Sequence, residues 1–271
     1  LKPHSRAQHP VQARPLLPLR MPGGDGADSA GSASSYGDPE PACPPPAWAE
    51  ALIEEARVRA GQSVYPPSDD TFLLLEALAA DVARLRALRP RLCLEVGSGS
   101  GAVLAGLLEV LQGGADGSTK LAEALPLLLA VDKNPDAVAC TEALLRSRGA
   151  PQAVVVRASL TWNLRLRGLV DVGICNPPYV PTEDPEEMQG CGIAASWAGG
   201  DRGREVIDCL LPQISDLLVP GGLFYLVCVA ENAPEELMEA ARSLGLSAAV
   251  ARQEQRGIEE LYILRFERTC T

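Results

Sequence analysis

Short apolar runs alternate along this chain with longer stretches whose apolar positions recur every three or four residues. Residues 91–96, 127–131, 154–156, 170–175, 223–229 and 261–266 read as strands, rich in Leu and Val and bounded by Gly, Pro, Asp or Asn. Between them, residues 68–82, 102–111, 135–148, 207–218 and 234–244 carry helical periodicity. Ser68 is placed to cap the first of these helices, with Asp69 and Asp70 favouring its opening turn. Pro220-Gly221-Gly222 reads as the turn into the strand at 223–229. Strands alternating with helices predict an α/β fold, doubly wound around a mostly parallel sheet with right-handed crossovers. The strand at 154–156 then falls at the sheet edge, where an exposed apolar ladder invites pairing.

Two segments stand outside this pattern. Residues 1–60 hold ten of the 23 prolines, interspersed with Gly, Ser and Ala. Such a composition buries too little to offset its ordering entropy, so 1–60 is expected to be a disordered low-complexity tail, closed by a helix at 48–60. The folded domain is expected over 61–271. Residues 113–120 read as a loop insertion. The first twenty residues carry Lys2, Arg6, Arg14 and Arg20 and no acid, the charge pattern of a mitochondrial presequence. Met21 offers a start beyond them, and they read as an artefact or a tail in preference to a working transit peptide.

Composition narrows the chemistry. Hydrophobic residues make up 46% of the chain and aromatics only 4%, so Leu, Val and Ala must build the core. The balance of 24 basic against 35 acidic residues gives a net charge of −11, which argues against unaided binding to nucleic acid. The eight cysteines are scattered without metal spacing, and Cys93, Cys175 and Cys228 sit inside apolar runs as small hydrophobes. A reducing compartment, no disulfide framework and no metal site are expected. No apolar run reaches the ~20 residues of a membrane span. Both histidines, His4 and His9, lie in the tail, so no Ser-His or Cys-His pair can form in the domain.

Two motifs carry chemistry. Gly97-Ser98-Gly99-Ser100-Gly101 follows a strand and opens a helix, the arrangement in which a glycine turn lets a nucleotide approach the backbone. Its spacing is not the G-x-G-x-x-G of dinucleotide enzymes. Asp132 ends the next strand, where an acid bonds ribose hydroxyls. Glu95, at the end of the first strand, would repel a pyrophosphate but suits a ligand bearing an amino group or a sulfonium. The second motif is Asn176-Pro177-Pro178-Tyr179, at the carboxyl end of the strand 170–175. Neither proline donates to a ladder, so the strand stops and presents the Asn176 side chain, the Pro177 carbonyl and an aromatic ring together. Two acceptors beside a flat ring suit a planar group carrying NH2, an amide or the exocyclic amine of a base.

Leu94 to Gly101, Asp132-Lys133-Asn134-Pro135 and Asn176 to Tyr179 resemble the class I S-adenosylmethionine methyltransferases of the HemK/PrmC type, and the short eukaryotic form most of all. Tyr65 to Leu75 and Trp197 to Val206 are similar to two further blocks of that form, and the likeness spans about residues 61–268. It implies a Rossmann-like, seven-stranded sheet. It implies that S-adenosylmethionine is held by Thr71, Glu95, Gly97, Gly99, Gly101, Asp132, Ser159, Leu160 and Asn176. It implies that Asn176, Pro177, Pro178 and Tyr179 bind the methyl acceptor, with Asn176, Pro177 and Tyr179 as the catalytic set. One departure is Ser159, which stands where the family usually has an Asp beside the adenine; the insertion near 112–124 is another.

The family methylates the glutamine of the Gly-Gly-Gln loop of the class-1 translation release factor, and it works with a small zinc-binding Trm112-like activator. It has also been described as a protein-lysine (histone) methyltransferase and as an N6-adenine DNA methyltransferase. A retained fold without activity is a further alternative. The resemblance implies transfer to the glutamine amide and a heterodimer with the activator; the open edge at 154–156 is where that subunit is expected to add a strand. A cytoplasmic location is expected, with the nucleus as second compartment.

Overall fold

The computed structural model describes residues 46–113, 125–188 and 190–270. The first 45 residues of the tail expected over 1–60, and the insertion beyond Gly113, lie outside the described residues. The strands are β1 (Leu92–Val96), β2 (Leu127–Asp132), β3 (Val154–Arg157), β4 (Val170–Cys175), β5 (Leu218–Val229), β6 (Leu246–Arg256) and β7 (Glu259–Arg268). The helices are α1 (Ala47–Ala60), α2 (Asp69–Ala80), α3 (Val82–Ala87), α4 (Ala102–Gln112), α5 (Pro135–Ser147), α6 (Pro185–Met188), α7 (Glu205–Leu217) and α8 (Pro234–Ser243).

The strands form one sheet in the order β3-β2-β1-β4-β5-β7-β6. The ladders from β3 to β5 are parallel, and β7 runs antiparallel to both β5 and β6. The central strands are buried on both faces; all six residues of β4 are buried, as expected of a parallel strand covered by helices. Asp171 is the polar exception within β4, and its Oδ2 accepts from the backbone N–H of Arg91 and Leu92, each at 2.9 Å. That contact pins the start of β1 to the start of β4. The expected edge position of β3 is observed, with Val154 43% exposed.

Three expectations need correction. The helix read through residues 68–82 breaks at Asp81, whose Oδ2 accepts from Tyr225 Oη at 2.7 Å and Arg265 Nη1 at 2.6 Å. Pro220-Gly221-Gly222 lies within β5, not before it, and α7 ends one residue earlier than the periodicity suggests. The ladder between β4 and β5 absorbs the irregularity by shifting register between Val170 and Val172. Finally, β6 has no counterpart in the hydropathy pattern, because Ser247, Ala248, Ala249 and a run of charged and amide residues fill it. As an edge strand it needs only one partner, β7.

Helix α1, read from composition as the end of the tail, packs on the folded unit. Ala49, Leu52, Ile53 and Ala56 are buried, and α1 contacts α4 and α5. Arg57 Nε donates to the Pro67 carbonyl at 3.0 Å, just ahead of α2.

Candidate active site

Strand order reverses between β1 and β4, the position where open α/β sheets place their ligands. The carboxyl ends of β1, β2 and β4 bring Gly97, Asp132 and Asn176 to one cavity of about 450 Å³. Thr71, Glu95, Gly99, Ser159, Leu160, Pro177, Pro178 and Tyr179 line the same cavity. Among the site residues expected from sequence, Gly101 alone is not on its wall. Gly101 has φ +80°, and a Cβ there would stand 2.9 Å from Thr141 Cα. This glycine lets α4 approach α5; it does not let the backbone approach a ligand.

The carboxylates of the nucleotide side are tied to the backbone. Asp132 Oδ2 accepts from Gly99 N–H at 2.9 Å, and Oδ1 accepts from Asn134 N–H at 2.8 Å. Both bonds fix its orientation at the end of β2 and join the glycine turn to the loop before α5. Glu95 is 2% exposed, and its Oε2 accepts from Leu104 N–H at 3.1 Å. That N–H is one of the unpaired donors in the first turn of α4, so Glu95 caps the helix from the neighbouring strand. Burial pushes the Glu95 carboxyl well above its ordinary range, partly offset by the Leu104 bond, and the nearby Asp132 adds to the rise. Cys175, at the end of β4, is likewise raised, first by burial and then by Glu95 and Asp132, so it stays a thiol.

The acceptor side is organised by Asp70, which sequence reasoning treated only as a helix-capping acid. Asp70 is 3% exposed, and its Oδ1 accepts from Thr71 N–H at 2.6 Å and Thr71 Oγ1 at 3.1 Å. Its Oδ2 accepts from Asn176 Nδ2 at 3.0 Å and Tyr179 Oη at 3.2 Å. A carboxylate can only accept, so it holds the Asn176 amide with NH2 turned toward Asp70. The other end of that amide, Oδ1, is buried without a hydrogen-bond partner. An orphaned buried acceptor costs about 1–3 kcal/mol, and here it lies on a residue of the cavity wall, so a bound donor would relieve it. Tyr179 is pushed far above the usual phenol range by burial and by the Asp70 charge, so its ring stays neutral and donates.

A second acid lies on the cavity wall beyond Asp70. Glu259 lies on the wall, and its carboxyl is raised by burial and then by Asp70, Glu231 and Asp69. Arg202 and Arg204 do not reach this wall. Arg202 Nη2 pairs with Glu236 Oε1 at 2.9 Å, and Arg204 pairs with Glu236 at 2.6 Å and Asp208 at 2.8 Å. Arg204 stands at the start of α7 and Arg202 in the turn before it.

A glycine-turn nucleotide pocket, facing an amide acceptor across the switch point of a seven-stranded sheet with antiparallel β7, defines a class I methyltransferase. No family model matches the chain. It is 43% identical over 209 residues to "Methyltransferase HEMK2" of Mus musculus, covering 77% of this chain and 91% of that protein. It is 32% identical over 228 residues to "eRF1 methyltransferase catalytic subunit mtq2" of Schizosaccharomyces pombe, covering 80% and 94% of the two chains. The solved Mtq2–Trm112 complex of E. cuniculi, described as acting in methylation of the termination factor eRF1, superposes with TM-score 0.53 at 26% identity. That match covers 76% of this chain and 99% of the solved one. The chain belongs to the HEMK2 family of methyltransferases.

Proposed function

We propose that this chain transfers a methyl group from S-adenosylmethionine to the side-chain amide nitrogen of a glutamine in the class-1 translation release factor. We further propose that it does so as a heterodimer with a zinc-binding Trm112-like subunit. The observation that carries the reading is the buried, unpartnered Oδ1 of Asn176, on an amide that shares Asp70 with the Tyr179 hydroxyl. The family membership and the names of the relatives point to the same acceptor. The donor set fits the cofactor: a glycine turn with open backbone, an oriented acid at the end of β2, and a buried carboxyl in place of a phosphate-binding group.

The bound cofactor supplies an electrophilic methyl on a sulfonium. The protein's part is to present the acceptor nitrogen to it. Asn176 Oδ1 and the Pro177 carbonyl accept from the glutamine NH2, fixing its plane and favouring charge that develops on nitrogen. Asp70 keeps the Asn176 amide from inverting, and the Tyr179 ring packs against the acceptor plane. Holding two reactants in this way is worth about 7–11 kcal/mol. A substrate without NH2 leaves the acceptors unpaired, which is how such a site rejects it. Asp70 and Glu259 on the cavity wall, with Asp69 and Glu231 near enough to act on Glu259, disfavour a phosphate backbone there and favour a polypeptide over DNA as substrate.

The exposed ladder of β3 supports the partner reading, since a subunit that adds a strand there covers an otherwise unpaired edge. The expected cytoplasmic and nuclear location belongs to the same proposal. The test is mass spectrometry of release factor incubated with this chain, a Trm112-like subunit and labelled cofactor. Label on the glutamine of the Gly-Gly-Gln loop is the expected result, lost in Asn176→Ala with cofactor binding retained. Label elsewhere, or unchanged turnover in the variant, overturns the reading.

A further inference from the structure

The acceptor loop is held from behind by a residue with no hydropathic signature. Asn232, in the turn between β5 and α8, is 0% exposed. Its Oδ1 accepts from Val229 N–H at 2.8 Å, which closes the end of β5. Its Nδ2 donates to two carbonyls at 2.8 Å each, that of Tyr179 in the acceptor loop and that of Arg202. One buried amide therefore joins three segments that are far apart in sequence.

The surroundings are built to that contact. A Cβ on Gly203, at φ +67°, would collide with the Tyr179 carbonyl, so the 199–204 segment closes on the acceptor loop only because this position is glycine. Two non-glycine residues at the node, Arg202 and Ala233, hold left-handed backbone at φ +53° and +52°. Such conformations persist only where surrounding contacts over-determine them. The same segment also runs beside the acceptor loop: Val180 N–H donates to the Trp197 carbonyl at 3.0 Å, Gly199 N–H to Val180 at 2.8 Å, and Thr182 N–H to Gly200 at 2.9 Å. Arg202 and Arg204, through Glu236, fasten this segment to α8 as well.

We propose that Asn232 is a positioning residue for methyl transfer: its Nδ2 locks the peptide carrying Tyr179, and through it the ring that faces the acceptor. The inference rests on the reading of Asn176 to Tyr179 as the acceptor site. Asn232→Asp is the discriminating variant, because it keeps the acceptor for Val229 N–H but replaces the donor with an oxygen facing two carbonyls. With release factor and the activator subunit present, kcat is expected to fall at least about tenfold. The dissociation constant for S-adenosylhomocysteine is expected to stay within about twofold, since the groups of the nucleotide side do not touch Asn232. Hydrogen exchange is expected to quicken at Val180, Thr182 and Gly199 and to stay unchanged in β1 and β2. Unchanged kcat overturns the proposal, whatever the exchange shows. So does a fall in kcat that tracks equally weakened binding of the cofactor product, the mark of a merely structural residue. The exchange measurement needs no substrate, so it tests the Asn232–Tyr179 contact separately from the identity of the acceptor: unchanged exchange removes the lock, whereas quickened exchange with no label on the glutamine counts against the acceptor reading alone.

Discussion

Exchanging Asp70 for asparagine changes almost no volume but removes the one group that fixes the Asn176 amide. In the native site both carboxylate oxygens only accept, from Thr71 on one side and from Asn176 and Tyr179 on the other. An asparagine at 70 has two ways to sit. Keeping its oxygen toward Asn176 sets its NH2 against the Thr71 N–H, which now stands 2.6 Å from an acceptor. Turning over sets its NH2 against Asn176, whose own amide must invert and then offers a donor to the substrate's NH2. Either arrangement leaves one buried polar group facing its like, a cost of about 1–3 kcal/mol. If that cost falls on the transition state, kcat/KM for the acceptor drops by about 5- to 150-fold. Initial rates with release factor at saturating labelled cofactor measure the drop. A melting curve and S-adenosylhomocysteine binding report whether fold and nucleotide side are intact. A folded Asp70→Asn enzyme within about twofold of the wild-type rate would refute the argument that amide orientation is set here.

Two further predictions use other parts of the site. The Glu95 carboxyl is raised above its ordinary value of 4.5 by burial, so the stability it confers is present at pH below that value and is lost as pH rises through its folded pKa. Glu95→Gln, which cannot ionise, should therefore melt above the wild type at about pH 8, with the gap closing toward about pH 5; a gap that widens on acidification contradicts the assignment. At the sheet edge, Val154→Lys places a charge on the open ladder of β3. It should weaken association with a Trm112-like subunit at least about tenfold while the melting temperature of the lone chain moves by no more than about 3 °C. Intact association by calorimetry or gel filtration would move the partner elsewhere.

The parts of this protein that could be read from sequence are those whose signals are local. The strand before the glycine turn, the acid ending β2 and the two prolines closing β4 each announce themselves within a few residues. The acceptor asparagine was legible for that reason. Asp70 was visible only as a helix-opening acid, because its function depends on meeting Asn176 from 106 residues away. Asn232 is hidden in the same way, its partners lying 53 and 30 residues upstream. Gly101 misled in the opposite direction, since a glycine needed for helix packing and one needed for ligand approach look alike in a string. Strand β6 escaped because its small and polar residues meet a single neighbour. Its register slip beside Val250 accompanies a turn inward by Arg252, which pairs with buried Glu76 of α2 at 3.2 Å.

The back wall formed by α1 bears on where the chain can be shortened. A cut at residue 61, the border that composition suggests, would lay bare the faces of α4 and α5 that α1 covers, and Leu75 of α2, which packs with Ala49 and Ile53. It would also free the Pro67 carbonyl from Arg57, three residues upstream of Asp70. The minimal catalytic fragment therefore has to keep everything from Ala47 onward, although the proline-rich stretch before it looks continuous with that helix on paper.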